Sequence, residues 1–103
     1  MARPYSEKFL LNLYKADPKR IGVQLARVCV AANLPTSYVA DAFKVSRMSI
    51  HSWFRGQYVR DKNYTKIENF IGIVNKGLTD GELPAFNNAA AKDFVSSKVI
   101  DKI

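Results

Sequence analysis

The residues best suited to chemistry lie between Leu34 and Gly56, in LPTSYVADAFKVSRMSIHSWFRG. Arg47, His51, Ser52 and Arg55 recur at helical spacing there, and the intervening Ile50 and Trp53 are apolar. A short helix with an apolar inner side and a basic, hydrogen-bonding outer side suits a DNA major groove, whose base edges present donors and acceptors. Covalent chemistry is not expected. The chain has one histidine and one cysteine, far apart, and lacks a glycine-rich phosphate loop, an HExxH and a GxSxG. Asp80 and Glu82 fall in a turn with no supporting constellation. His51 has no partners for a metal site, and a solvated surface histidine is its plain alternative. No enzyme activity, cofactor, metal or small-molecule ligand is therefore expected.

The elements that must position these residues are helical. Ser6 to Ala16 carries Phe9, Leu10, Leu13 and Tyr14 on one face. Asp17-Pro18 offers a cap and first position for a helix running to about Ala32, with Ile21, Leu25, Val28 and Cys29 inside, broken by Asn33-Leu34-Pro35. Thr36 or Ser37 can cap a short helix to Phe43. Lys44-Val45 makes a turn, Ser46 caps Arg47 to Arg55, and Gly56 stops that helix. Gln57 to Asn63 reads as a polar, basic loop. Tyr64 to Asn75 shows the stripe Ile67, Phe70, Ile71, Val74 and stops near Gly77. Thr79-Asp80-Gly81 is a turn, 82–88 is irregular, and Ala89 to Ile100 forms a last helix. No strand-like alternation and no repeat is visible.

The packing of two helices across a tight turn explains the 34–56 pattern. Ala40 provides a small residue at the crossing, and Val39, Phe43, Val45, Ile50 and Trp53 fill the inside, the last two three apart on one face. This segment resembles the helix-turn-helix domain of the phage repressor and Cro type, the XRE family. Its common pattern V-S-x-x-x-I-x-x-W-x-x-G is matched by Val45, Ser46, Ile50, Trp53 and Gly56. About 23 residues match strongly and 20–78 plausibly. Lys44 stands where the family usually has glycine, and a left-handed backbone there costs a non-glycine residue roughly 1 kcal/mol; Pro35 replaces the usual Ser/Thr cap. The resemblance implies an all-α fold, a compact bundle of about five to six short helices with a lambda-repressor-like helix-turn-helix.

The resemblance also implies roles. Arg47, Met48, His51 and Ser52 face base edges, with Arg47 bidentate to guanine and Met48 against a thymine methyl. Thr36 and Ser37 touch phosphate, as does Ser46 at the turn. Arg55, Gln57, Arg60, Lys62 and Asn63 hold the backbone near the end of the reading helix.

Charge agrees with such a partner. The net charge is +7. Residues 1–66 carry 12 of the 16 Lys/Arg against 4 of the 9 Asp/Glu, a balance of +8, and residues 67–103 carry 4 against 5, a balance of −1. A basic surface attracts phosphate backbones through counterion release. Lys15, Lys19 and Arg20 are either a solvated face or an extension of the contact, and the hydroxyl of Tyr58 or Tyr64 can reach a phosphate. Trp53 and Phe54 are alternatively a base-stacking pair, but the spacing makes Trp53 core.

At 103 residues one small core is expected. The chain divides into an N-terminal helical extension (1–19), a helix-turn-helix domain (20–78) and a C-terminal tail (79–103) for dimerisation or partner binding. There is no 18-residue apolar run and no signal peptide, so no membrane contact and a cytoplasmic location are expected. Cys29 cannot pair and reads as a buried small hydrophobe.

The reading that follows is a sequence-specific double-stranded DNA-binding transcriptional regulator of phage or bacterial type, a repressor by default. A homodimer is expected, with its surface on 64–75 or 89–100. The competing readings are a protein-interaction module, such as an antitoxin or an inhibitor of a host protein working through the tail, and an architectural or recombination accessory factor. Truncation at about residue 80 is expected to spare DNA binding but abolish a tail-mediated interaction.

Overall fold

Ser6 opens the first helix, its hydroxyl accepting the Phe9 N–H at 3.1 Å. In a computed structural model of the chain, which describes residues 5–100, 102 and 103, six α-helices follow in order. They are α1 Glu7–Lys15, α2 Ile21–Ala31, α3 Thr36–Phe43, α4 Arg47–Phe54, α5 Asp61–Thr79 and α6 Asn88–Phe94, with a π-helical turn at Val95–Val99. There is no strand among the described residues, so the fold is all-α. No helix is long and apolar enough to cross a membrane.

Helix α2 is the hub and packs on α1, α4 and α5. Its Val23, Leu25, Ala26 and Cys29 are fully buried. One continuous core joins all three sequence segments, from Tyr5 through Trp53 and Phe70 to Val99. The N-terminal helix is part of it. The Tyr5 hydroxyl is buried and donates to the Leu34 carbonyl at 2.6 Å, and the Tyr5 ring stacks on Phe9 at 4.9 Å. Burial pushes the Tyr5 phenol well above its ordinary range, with a smaller contribution from Cys29, and burial likewise raises the Cys29 thiol.

The tail is core as well. Leu83, Phe94, Val95 and Val99 are buried, and the Ala85 N–H donates to the Ala32 carbonyl at 2.8 Å. Asn33 answers through its side-chain amide, which donates to the Ala85 carbonyl at 2.8 Å. Most of the tail's apolar side chains are thus covered by the chain itself, whereas Phe86 is exposed. Within the two segments suggested as dimer surfaces, Ile67, Phe70, Val74 and Val99 are fully buried, so the accessible surface there is carried by the other residues of each helix.

Several boundaries differ from expectation for local reasons. Asp17 does not cap α2. Its carboxylate accepts the Lys19 N–H at 2.9 Å in a tight turn, and the helix begins at Ile21. Neither Thr36 nor Ser37 caps α3, because Pro35 takes the cap position with extended backbone (φ −63°, ψ 148°). Helix α5 starts at Asp61 and runs through Gly77 to Thr79, longer at both ends than its apolar stripe. Gly77 is no stop signal: a Cβ there would lie 3.0 Å from Leu83 and from Phe94, so the glycine admits the returning tail. The last helix is capped by Asn87, whose side chain accepts the Ala90 N–H at 2.8 Å, and it changes to π geometry after Phe94.

Candidate nucleic-acid interface

The turn between α3 and α4 is built from backbone hydrogen bonds. Lys44 adopts the left-handed conformation (φ 57°, ψ 43°). The Val45 N–H donates to the Ala40 carbonyl at 3.1 Å and the Lys44 N–H to Asp41 at 3.2 Å, the paired closure that ends many helices. Ser46 then returns to extended backbone, and its hydroxyl accepts the Ser49 N–H at 3.1 Å. That hydroxyl also lies 3.1 Å from the Ser49 hydroxyl, so it is engaged in starting α4. Helix α4 ends by the same closure as α3. The Gly56 N–H donates to Trp53 at 2.9 Å and the Gln57 N–H to Ser52 at 3.2 Å, with Gly56 at φ 87°.

The inner side of α4 is fixed by rings and by one backbone contact. Ile50 is fully buried, Trp53 meets Phe43 edge-on at 5.6 Å, and Phe54 packs on Phe9 and Tyr5 at 6.0 and 6.3 Å. Trp53 is core, as its spacing predicts, and Phe54 is core through α1. Gly22 of α2 meets the Trp53 backbone so closely that a Cβ there would sit 2.0 Å from the Trp53 carbonyl oxygen.

The outer side carries Arg47, Met48, His51 and Arg55, all exposed, Met48 at 80%. Of the four residues expected at base edges, Ser52 differs: it is half-buried, and its hydroxyl donates to the Gln57 side-chain oxygen at 2.8 Å. That bond ties α4 to the loop after it. Thr36 and Ser37 are half-buried at the start of α3.

Two clefts flank α4. One, of about 480 Å³, lies on the Ser49 and Trp53 side, and Lys44, Arg60, Lys62 and Lys66 line it together with Tyr58 and Asn63. Arg60 is the cap of α5, and Lys62 and Asn63 sit in its first turn rather than in a loop. The other, of about 520 Å³, lies between α1 and α4 on the His51 and Arg55 side.

The electrostatics of this half are one-sided. The single ion pair among the described residues is Lys98 to Glu82 at 3.9 Å. The 11 lysines and arginines from Lys8 to Lys66 have no acidic partner among the described residues. Lys44 and Lys66, which line the cleft on the Ser49 and Trp53 side, are not among the residues expected to touch nucleic acid. Lys66 is one turn after Lys62 on the same face, a spacing that becomes visible once α5 starts at Asp61. No family model, curated protein or solved structure matches the chain.

Proposed function

We propose that this chain is a sequence-specific double-stranded DNA-binding regulator that reads the major groove with α4. The observation that carries this is the outer face of α4. It presents the side chains of Arg47, Met48 and His51 free of hydrogen bonds and salt bridges among the described residues, on a helix anchored inside and flanked by cations.

The rigid inner packing fixes the orientation of α4, and with it the face that carries these side chains. Arg47 offers a bidentate contact to guanine, and Met48 an apolar contact to a thymine methyl. Arg55, Arg60, Lys62, Lys44 and Lys66 supply phosphate contacts, with Gln57 and Asn63 as neutral hydrogen-bonding neighbours. Thr36 and Ser37 approach the backbone from the start of α3. Membership of the XRE family, action in the cytoplasm where the DNA lies, and repression by promoter occlusion belong to the same reading. So does a homodimer on a two-fold site, because one eight-residue helix spans only a few base pairs.

Selection of bound duplexes from a random pool at about 150 mM salt tests the proposal, with wild type beside Arg47→Ala. Enrichment of a motif that the variant loses is the expected result, and two-fold symmetry in that motif marks the dimer. Binding without any motif, abolished by modest salt, would reduce the interaction to charge attraction.

A further inference from the structure

Helix α1 lies outside the two-helix unit, yet it borders the reading helix directly. The cleft between them has Phe9 and Phe54 in its floor and Lys8, Asn12, His51 and Arg55 around it, with no carboxylate in its lining. Its position follows from helical phase. His51 and Arg55 come one and two turns after Arg47, on the edge of α4 facing α1, whereas Ser49 lies on the opposite edge beside the cationic cleft of Lys44, Arg60, Lys62 and Lys66.

A helix roughly 10–12 Å across fills a major groove about 12 Å wide. The two phosphodiester strands that wall the groove then run along both edges of the helix. One edge is already cationic. We propose that α1 supplies the other, so that the cleft between α1 and α4 takes the second phosphodiester strand. Lys8 and Arg55 pair with its phosphates, Asn12 donates a hydrogen bond to a phosphate oxygen, and the Phe9 and Phe54 rings meet the apolar edge of the sugars. This rests on the assignment of α4 as a reader of duplex DNA.

The test uses the full chain and a duplex carrying the motif selected by wild type. Affinity is measured from 50 to 300 mM KCl, and phosphate-ethylation interference maps the strands. Lys8→Ala and Asn12→Ala stand beside Arg47→Ala, with Lys92→Ala on α6 as a charge control outside both clefts. Lys8, Asn12 and Lys92 are exposed, so unchanged thermal transitions verify the fold of these variants.

One lost phosphate contact lowers the slope of log K against log salt by about 0.9 and weakens binding about fivefold at 150 mM. Lys8→Ala is expected to do both, equally on all sequences, and to erase interference at phosphates along one border of the site. Asn12→Ala weakens binding without changing the slope, and Lys92→Ala changes neither. A Lys8→Ala protein with the wild-type slope and interference pattern, while Arg47→Ala still loses the motif, would overturn the role of α1 and leave α4 as the reader. If wild type selects no motif, the assignment of α4 fails and this inference fails with it.

Discussion

The contact between Gly22 and the Trp53 backbone gives the sharpest test of the architecture. Replacing Gly22 with alanine places a methyl group 2.0 Å from the Trp53 carbonyl oxygen and 2.6 Å from its carbonyl carbon. Both are main-chain atoms, which cannot rotate aside. Restoring a contact of about 3.4 Å requires α2 and α4 to separate by roughly 1.4 Å in a densely packed core. Overpacking of this kind costs about 3 kcal/mol, and alanine's better helix propensity returns about 1 kcal/mol. The net loss of about 2 kcal/mol lowers Tm by about 8–16 °C for a chain of this size. Gly72→Ala is the matched control. It lies in α5 with nothing within 4 Å of its Cβ position, so propensity alone acts and Tm rises by about 2–8 °C. Thermal unfolding followed by circular dichroism measures both. Shifts of the same sign, or a Gly22→Ala protein within 0.5 kcal/mol of wild type, would show that α2 and α4 do not meet as described.

Three further predictions concern the tail, the turn and the core. A stop after Thr79 removes Leu83, Phe94, Val95 and Val99 from the core, roughly 6–12 kcal/mol of burial, comparable with the whole stability of a small domain. The truncated chain is expected to show no cooperative thermal transition, and retention of one would contradict the packing of the tail. Lys44→Gly relieves a left-handed non-glycine residue and stabilises the fold by about 1 kcal/mol. In a duplex-binding titration it weakens affinity about fivefold at 150 mM salt, because the turn loses a cation. Tyr5→Phe breaks the 2.6 Å bond to the Leu34 carbonyl and costs about 1–2 kcal/mol in denaturant titration. Tyr5 and Cys29 ionise in the unfolded chain near their ordinary values of about 10 and 9 and above those values when folded. The stability they confer is complete below about pH 9 and declines as pH rises, and Tyr5→Phe blunts that decline.

The two-helix unit was legible because its determinants are local. Ser46 as cap, Gly56 as stop, and Ile50 and Trp53 three apart each depend on neighbours within one turn, and the structure holds them as expected. The left-handed turn fell on Lys44 because the register of the flanking residues dictated it, whatever side chain stood there. Long-range features were not legible. Gly22 looks like an ordinary weak helix former until Trp53 is brought against it. Phe54 gained its place from Tyr5 and Phe9, more than 40 residues earlier. The first turn of α5 was hidden because Asp61, Lys62 and Asn63 are exposed or half-buried polar residues, where no apolar stripe can mark a helix. Among the interface residues, the helical edges were readable by phase, whereas the cleft with α1 required knowing where α1 docks.

The unequal duties of the two sides of α4 bear on how this chain can change over generations. Ile50, Trp53 and Phe54 hold the fold, while Arg47, Met48 and His51 project without hydrogen bonds or ion pairs to the rest of the chain. If α4 reads DNA as proposed, substitutions at those three exposed positions alter recognition while leaving the melting temperature almost where it was. On that reading, a lineage of such proteins can wander across target sequences without first accumulating surplus stability. Ser52 is the brake on that drift, since exchanging it also releases Gln57 and the loop that leads into the next helix.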